Sequence, residues 1–79
     1  MSHTKKYNDT WKGARSMLRD NFSGKFKKLQ YERDPWVQGV WKVTHKSGAR
    51  AIVYLAGYPD PWGRRREFND AEFSDDWCL

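Results

Sequence analysis

The sequence predicts one small α+β domain: a small curved antiparallel sheet of three to four strands with an N-terminal helix and a short C-terminal helix. Three observations favour this fold class. Apolar residues near the N-terminus recur at helical spacing, the middle of the chain alternates strand-forming residues with turn signals, and a helix-capping pattern follows near the C-terminus. We expect residues 1–7 to be a flexible N-terminus and residues 8–79 to form the domain.

The first helix is predicted from a capping residue and an apolar face. Asn8 or Asp9 would cap it, and Gly24 supplies a stop at its end. Gly13 weakens such a helix by about 1 kcal/mol relative to Ala. Its core-facing side chains, spaced by three and four residues, are Trp11, Ala14, Leu18 and Phe22.

Three strands are predicted over residues 25–33, 36–45 and 50–56, which are rich in aromatic and β-branched side chains. The first two are separated by a turn at Asp34-Pro35, and the second and third by a hairpin loop with Gly48 in the left-handed conformation. The register of that hairpin should bring the side chains of Ala51, Val53 and Leu55 against those of Val43 and Trp41.

Residues 64–68 are expected to form a short edge strand, followed by the C-terminal helix. Asn69 would cap this helix, and Glu72 three residues later would complete a capping box. Phe73 and Trp77 lie one helical turn apart and would pack the helix on the sheet.

Composition limits how this domain is stabilised. The chain has 79 residues with one cysteine, Cys78, so an internal disulfide is excluded, and there is no Cys/His zinc pattern. Stability must therefore come from packing, chiefly of five Trp, four Tyr and four Phe. There is no run of about 20 apolar residues and no apolar signal-peptide segment, so we expect a cytoplasmic protein without a membrane partner.

Charge is distributed unevenly along the chain. The net charge is +5, but residues 1–50 hold twelve Lys/Arg against four Asp/Glu, whereas residues 51–79 hold three against six. Such asymmetry is typical of a nucleic-acid surface beside an acidic tail. It equally fits an acidic C-terminal part that packs near the basic half and neutralises part of it, and the sequence leaves both interpretations open.

The tripeptide Asp-Pro-Trp occurs twice, at Asp34-Pro35-Trp36 and Asp60-Pro61-Trp62. It resembles the motifs that endocytic adaptors present to clathrin-adaptor ear domains from disordered tails. Within a folded domain we instead expect two turns, each followed by a tryptophan packed in the core, because Asp-Pro commonly opens a turn.

Arginines 64–66 are the main candidate binding residues. Three consecutive arginines on an extended segment cannot all face inward, and their planar guanidinium groups suit phosphate or carboxylate. The alternative is internal pairing with acidic side chains of the C-terminal helix, at Asp70, Glu72, Asp75 or Asp76. The proposed partner- or phosphate-binding set is Arg64, Arg65, Arg66 and Trp62 first, with Lys27, Lys28 and Arg33 second.

Catalytic patterns are missing from the sequence. No Ser/His/Asp or Cys/His arrangement and no phosphate-binding glycine loop occurs, His45 is expected to be an exposed residue at a strand end, and Cys78 has no cationic neighbour to lower its pKa. We therefore expect no enzyme, no cofactor, no bound metal and no small-molecule substrate.

Two function classes remain. The first is a small protein that binds a larger protein or nucleoprotein complex, because Trp, Tyr and Arg are typical interface anchors. In size and composition, though in no motif, it resembles small proteins of bacteriophages and mobile elements, some of which inhibit host transcription or defence complexes. The second class is a direct nucleic-acid-binding module that uses basic strands and exposed aromatic side chains.

Overall fold

The computed structural model describes residues 3–22 and 26–77, with one helix followed by four strands. The predicted helix stop at Gly24, the start of the first predicted strand at Lys25, and Cys78 lie outside the described residues. In chain order, the elements are α1 (Trp11–Asn21), β1 (Gln30–Arg33), β2 (Val40–Thr44), β3 (Arg50–Tyr54) and β4 (Asp70–Phe73).

The four strands form one open antiparallel sheet in the order β1-β2-β3-β4, so each strand pairs with its neighbour in sequence. The predicted α+β class is therefore confirmed. The register of the central hairpin is confirmed as well, since Val43 lies opposite Ala51 and Trp41 opposite Val53. Gly48 in its loop has a φ of 93°, which is the left-handed conformation predicted for it.

Helix α1 is capped by Thr10, one residue after Asp9 and two after Asn8, the two predicted caps. The side chain of Thr10 caps it by accepting a hydrogen bond of 3.1 Å from the backbone nitrogen of Gly13. Ala14 and Leu18 are fully buried as predicted, and Met17 joins them in the same core cluster. The core face of the sheet contributes four buried side chains to this cluster, those of Trp41, Val43, Ala51 and Val53.

The predicted C-terminal helix is wrong, because Asp70–Phe73 forms strand β4 instead. Ala71 and Phe73 alternate toward the core, and their backbone pairs with β3, whose edge would otherwise lack a partner. Asn69 does not cap a helix: its side-chain oxygen accepts a hydrogen bond of 2.7 Å from the backbone nitrogen of Ala56. Local capping signals over so few residues are weak, since helix nucleation is costly, and strand pairing prevails.

The expected edge strand over residues 64–68 is also wrong. Within it only Arg65 makes a β-bridge, an isolated antiparallel one to Pro59 inside the same loop. The second proline of this loop, Pro61, has no backbone N–H, so it could not take part in a regular strand ladder.

Residues 3–7, which the sequence assigns to the flexible N-terminus, contact the rest of the domain. The ring of Tyr7 is part of the core, and its hydroxyl donates a hydrogen bond of 2.6 Å to Asp20. The backbone oxygen of Lys5 accepts one of 2.7 Å from the Asn69 side chain. This segment thus connects α1 with the residue that precedes β4.

Candidate functional site

Two loops lie at the same end of the sheet because the strands form an antiparallel meander. They are residues 34–39, which connect β1 to β2, and residues 57–66, which form most of the connection from β3 to β4. Each contains one of the two Asp-Pro-Trp tripeptides. We call these two segments the tryptophan loops.

In the first tryptophan loop the carboxylate of Asp34 organises the turn. Its Oδ1 atom accepts hydrogen bonds from the backbone nitrogens of Trp36, at 2.8 Å, and Val37, at 2.9 Å. These two hydrogen bonds hold the pKa of the Asp34 carboxyl below its ordinary value, because they stabilise the charged form. The ionised form of Asp34 therefore stabilises this turn more than the protonated form does.

The second tryptophan loop repeats this arrangement. Oδ1 of Asp60 accepts hydrogen bonds of 2.9 Å from the backbone nitrogens of Trp62 and Arg64. A further backbone hydrogen bond of 2.7 Å, from the nitrogen of Asp60 to the oxygen of Arg64, closes the loop. The prediction that Asp-Pro opens a turn is confirmed at both places.

The prediction that the tryptophans of these turns are packed is wrong. Trp36 is 90% exposed and Trp62 is 84% exposed, the two largest exposures among the exposed large apolar side chains of the described residues. The predicted strand began at Trp36, but β2 starts only at Val40, because the turn organised by Asp34 extends over the residues between. Both indoles therefore project from loops.

Contacts between the two tryptophan loops join them to each other. Nη1 of Arg66 donates hydrogen bonds to the backbone oxygens of Gln38, at 3.0 Å, and Tyr58, at 3.5 Å. The Tyr58 side chain lies against Gly39, where an added Cβ would come within 2.8 Å of it. Gly39 also has a φ of 73°, so both backbone conformation and space favour glycine here. These contacts place the two loops at a defined separation.

The three consecutive arginines have different surroundings. Arg66 is half-buried between the loops, and its guanidinium lies 5.7 Å from the ring centroid of Tyr54. Arg65 is exposed and donates one hydrogen bond of 2.8 Å to the backbone oxygen of Gly57. Arg64 is exposed, and its side chain makes no hydrogen bond to any described residue.

Internal pairing of these arginines with the acidic C-terminal residues does not occur in the described part of the chain. The ion pairs there are Arg33 with Asp9 and Lys5 with Asp20. The expected C-terminal helix is a strand instead, with Asp70 and Glu72 on the sheet face opposite the core, where they and Arg66 lie near Tyr54 without forming an ion pair. The helix of that alternative is absent, and the described residues show no ion pair between these arginines and those carboxylates.

The second group of predicted site residues is separated from the first. Arg33 lies on β1 next to the tryptophan loops, but its guanidinium is paired with Asp9, which also accepts a hydrogen bond of 2.8 Å from the indole of Trp41. Lys27 and Lys28 are exposed just before β1, at the opposite end of the sheet from the tryptophan loops. Trp62, Arg64, Arg65 and Arg66 lie on one tryptophan loop, and Trp36, which the sequence analysis did not include, is exposed on the other.

The sheet face opposite the core carries mixed charge and no described element covers it. Its exposed charged side chains include two cations and three carboxylates: Lys42, Arg50, Glu32, Asp70 and Glu72. Tyr54 also lies on this face. Its partial burial raises the pKa of its hydroxyl, and the nearby carboxylate of Glu72 raises it further. This face therefore offers no continuous basic track.

The possible metal ligands among residues 3–22 and 26–77 lie apart from one another. No three His, Cys, Asp or Glu side chains lie together there as a metal site requires. His45 contacts the ring of Trp77 at 5.7 Å between centroids and the hydroxyl of Ser47 at 2.9 Å, which are the contacts of a strand-end histidine. No helix in this part of the chain is long and apolar enough to cross a membrane.

The strongest candidate site is therefore the surface formed by the exposed side chains of Trp36, Trp62, Arg64 and Arg65, which we call the tryptophan surface. The repeated tripeptide was the sequence signal for it, but the pattern alone did not reveal that both indoles are exposed. Comparison with protein-family models, with curated proteins and with solved structures finds no match to this chain.

Proposed function

We propose that this chain is a non-enzymatic binding protein that acts by protein–protein contact through the tryptophan surface. The observation that carries the proposal is the exposure of Trp36 and Trp62, 90% and 84%, on two loops at one end of the sheet. Tryptophan and arginine are the side chains most often found at the energetic centre of protein interfaces. Here both types are exposed beside each other.

The loop geometry favours tight binding because it is already ordered. Each tryptophan follows a proline, and its backbone nitrogen is held by the aspartate of the same tripeptide. Arg66 then joins one loop to the other. A surface that is ordered before binding loses less conformational entropy when the partner arrives. Each indole, once buried in a partner pocket, would contribute at least about 2 kcal/mol, which corresponds to roughly 30-fold in Kd.

The finer part of the proposal concerns the partner. We propose a larger protein or nucleoprotein complex, and as one specific hypothesis a nucleic-acid-handling complex that a small phage-type protein would inhibit by occupying its surface. This rests on size, composition and the net charge of +5. Basic charge accelerates encounter with the acidic surfaces that such complexes present.

A direct nucleic-acid-binding function is the second candidate, and the same exposed indoles favour it, because flat rings stack on unpaired bases. The surrounding charge gives it less support. A strand of nucleic acid needs a basic groove over several nucleotides, whereas the adjacent sheet face carries more carboxylates than cations. Lys27 and Lys28, at the opposite end of the sheet, do not extend the tryptophan surface.

The test compares three forms of the protein as affinity baits in a lysate of the source cells. They are the wild type, a Trp36→Ala/Trp62→Ala variant, and a Lys27→Ala/Lys28→Ala control whose changes lie at the other end of the sheet. Quantitative mass spectrometry should find proteins that the wild type and the control retain and the tryptophan variant loses. Identical protein lists for all three baits would contradict the proposal.

A parallel titration separates the two candidates. Fluorescence anisotropy with single- and double-stranded oligonucleotides, at two salt concentrations, should show no binding that depends on the two tryptophans. Binding that is lost both in the tryptophan variant and at high salt would instead support the nucleic-acid function.

A further inference from the structure

We propose that the element bound by the tryptophan surface is an acidic protein segment that carries apolar side chains, a step that rests on the proposed protein-binding function. The inference comes from the charges around the two exposed indoles. The cations there have unused hydrogen-bonding capacity, while the carboxylates of the two turns are already engaged.

The turn carboxylates form no ion pair with the arginines. Oδ1 of Asp34 and Oδ1 of Asp60 each accept two backbone hydrogen bonds inside their own loops. Neither aspartate is within ion-pair distance of an arginine, and the ion pairs of the described residues all lie elsewhere. Glu67 is exposed next to the arginines in sequence and forms no ion pair with them. Among the described residues, the guanidinium groups of Arg64 and Arg65 therefore have no ion-pair partner and are available to a carboxylate of the partner.

Arg64 and Arg65 present hydrogen-bond donors in a form that suits carboxylates. The Arg64 side chain has all its N–H groups available, and Arg65 uses one terminal nitrogen for the backbone oxygen of Gly57. A guanidinium binds a carboxylate through two parallel hydrogen bonds, which adds geometric specificity to the charge attraction. Arg66 has a different role: its bonds to Gln38 and Tyr58 make it a positioning residue.

The same two arginines could bind phosphate, but the surroundings favour a short acidic segment of protein. A polyanion that continued beyond the tryptophan surface along the sheet would meet Asp70 and Glu32, which are exposed on the uncovered face. A protein segment with one or two carboxylates can bind Arg64 and Arg65 without reaching Asp70 or Glu32. Apolar side chains are required as well, because removing the large apolar ring surfaces of the two indoles from water is what makes their burial favourable.

The chemistry is testable without knowing the natural partner. A display library of random dodecapeptides is selected on the immobilised wild-type protein, after depletion on the Trp36→Ala/Trp62→Ala variant. We expect the retained peptides to be enriched in Asp and Glu next to aromatic or aliphatic residues. Enrichment without acidic residues would overturn this inference and leave the proposed function intact, whereas no enrichment over the depleted library would contradict both.

Synthetic versions of the selected peptides then test the arginines directly. Their affinity, measured by calorimetry, should fall at least tenfold for Arg64→Gln/Arg65→Gln and less than twofold for the Lys27→Gln/Lys28→Gln control, which removes the same charge at the other end of the sheet. Arg64→Gln alone serves as a second variant, since this side chain makes no internal hydrogen bond that folding could need. Equal losses for the arginine and lysine variants would refute the inference, because they would indicate a nonspecific charge effect.

Discussion

Replacing Gly13 by alanine changes the free energy of unfolding in a direction on which helix propensity and tertiary structure disagree. Propensity predicts an increase and tertiary structure predicts a decrease. Gly13 lies inside α1, where alanine is about 1 kcal/mol more favourable than glycine. A Cβ at this position, however, would overlap the backbone oxygen of Asn8 and lie 2.9 Å from its carbonyl carbon and 3.0 Å from its nitrogen. These are backbone atoms, so no side-chain rotation relieves the overlap.

The overlap would displace a segment that holds several contacts. Asn8 stands between Tyr7, whose ring is in the core, and Asp9, which binds Trp41 and Arg33. Overpacking of this kind costs about 1–3 kcal/mol, and an overlap with backbone atoms falls in the upper part of that range, about 2–3 kcal/mol, which exceeds the propensity gain. We therefore expect Gly13→Ala to lower the free energy of unfolding by about 1–2 kcal/mol. For a domain of this size, each kcal/mol lost lowers Tm by about 4–8 °C.

Urea unfolding followed by circular dichroism measures the effect as a change in the midpoint at constant slope. Lys12→Ala is the matched control, because Lys12 is exposed on the same helix and lysine and alanine are both strong helix formers. Its unfolding free energy should change by less than about 0.5 kcal/mol. A Gly13→Ala variant more stable than the wild type would refute the close approach of Asn8 to the helix.

Three further predictions concern hydrogen bonds of named side chains. Asp9→Asn keeps an acceptor for the indole of Trp41 whereas Asp9→Ala does not, so in urea unfolding the alanine variant should be less stable than the asparagine variant by at least about 1 kcal/mol. The pKa of Asp34, measured by NMR of its carboxyl carbon, should lie below 3.8, so its contribution to the turn is complete above that pH and is lost as the pH falls through the lowered pKa; an ordinary or raised value would contradict the turn geometry. Arg66→Ala should speed amide hydrogen exchange in both tryptophan loops while Arg64→Ala leaves it unchanged, because the Arg66 side chain bonds to both loops and the Arg64 side chain to neither.

The sequence predicted those elements whose signals are periodic and local. Helix α1 follows from the spacing of Trp11, Ala14 and Leu18, and the central hairpin from alternating side chains around Gly48. In both cases the local preference and the burial of one face agree. Helix and hairpin are therefore the parts of this fold that need no knowledge of the rest of the chain.

Strand β4 was mispredicted because its local and tertiary signals disagree. Asn69 and Glu72 match a helix-capping box, yet Ala71 and Phe73 also alternate as a strand requires. The deciding factor is the unpaired edge of β3, which four residues of β4 cover. Such long-range pairing cannot be predicted from the sequence of the segment itself. The burial of Tyr7 cannot be predicted from its neighbouring residues either.

Only some residues of the candidate site could be predicted from the sequence. Arg64, Arg65 and Trp62 were identified from residue type, but exposure of Trp36 depends on where β2 begins, and the positioning role of Arg66 depends on a carbonyl from another loop. A run of three arginines carries no information on which member turns inward. The difference between the half-buried Arg66 and the exposed Arg64 and Arg65 arises only because two loops meet at one end of the sheet.

The exposure of two tryptophans is best understood against the size of this domain. A buried ring removes roughly 150–250 Å² from water, so each one left outside forgoes several kcal/mol at about 25 cal/mol per Å². Net stability of a whole domain is only about 5–15 kcal/mol, and this chain of 79 residues has no described metal site to add to it. Yet Trp36 and Trp62 are held in solvent by turns of the same construction, each with its own aspartate. Turn formation alone would be served by many residues at those two positions, whereas binding of an apolar partner specifically requires large exposed rings, and this difference is the physical argument that the tryptophan surface is a binding surface.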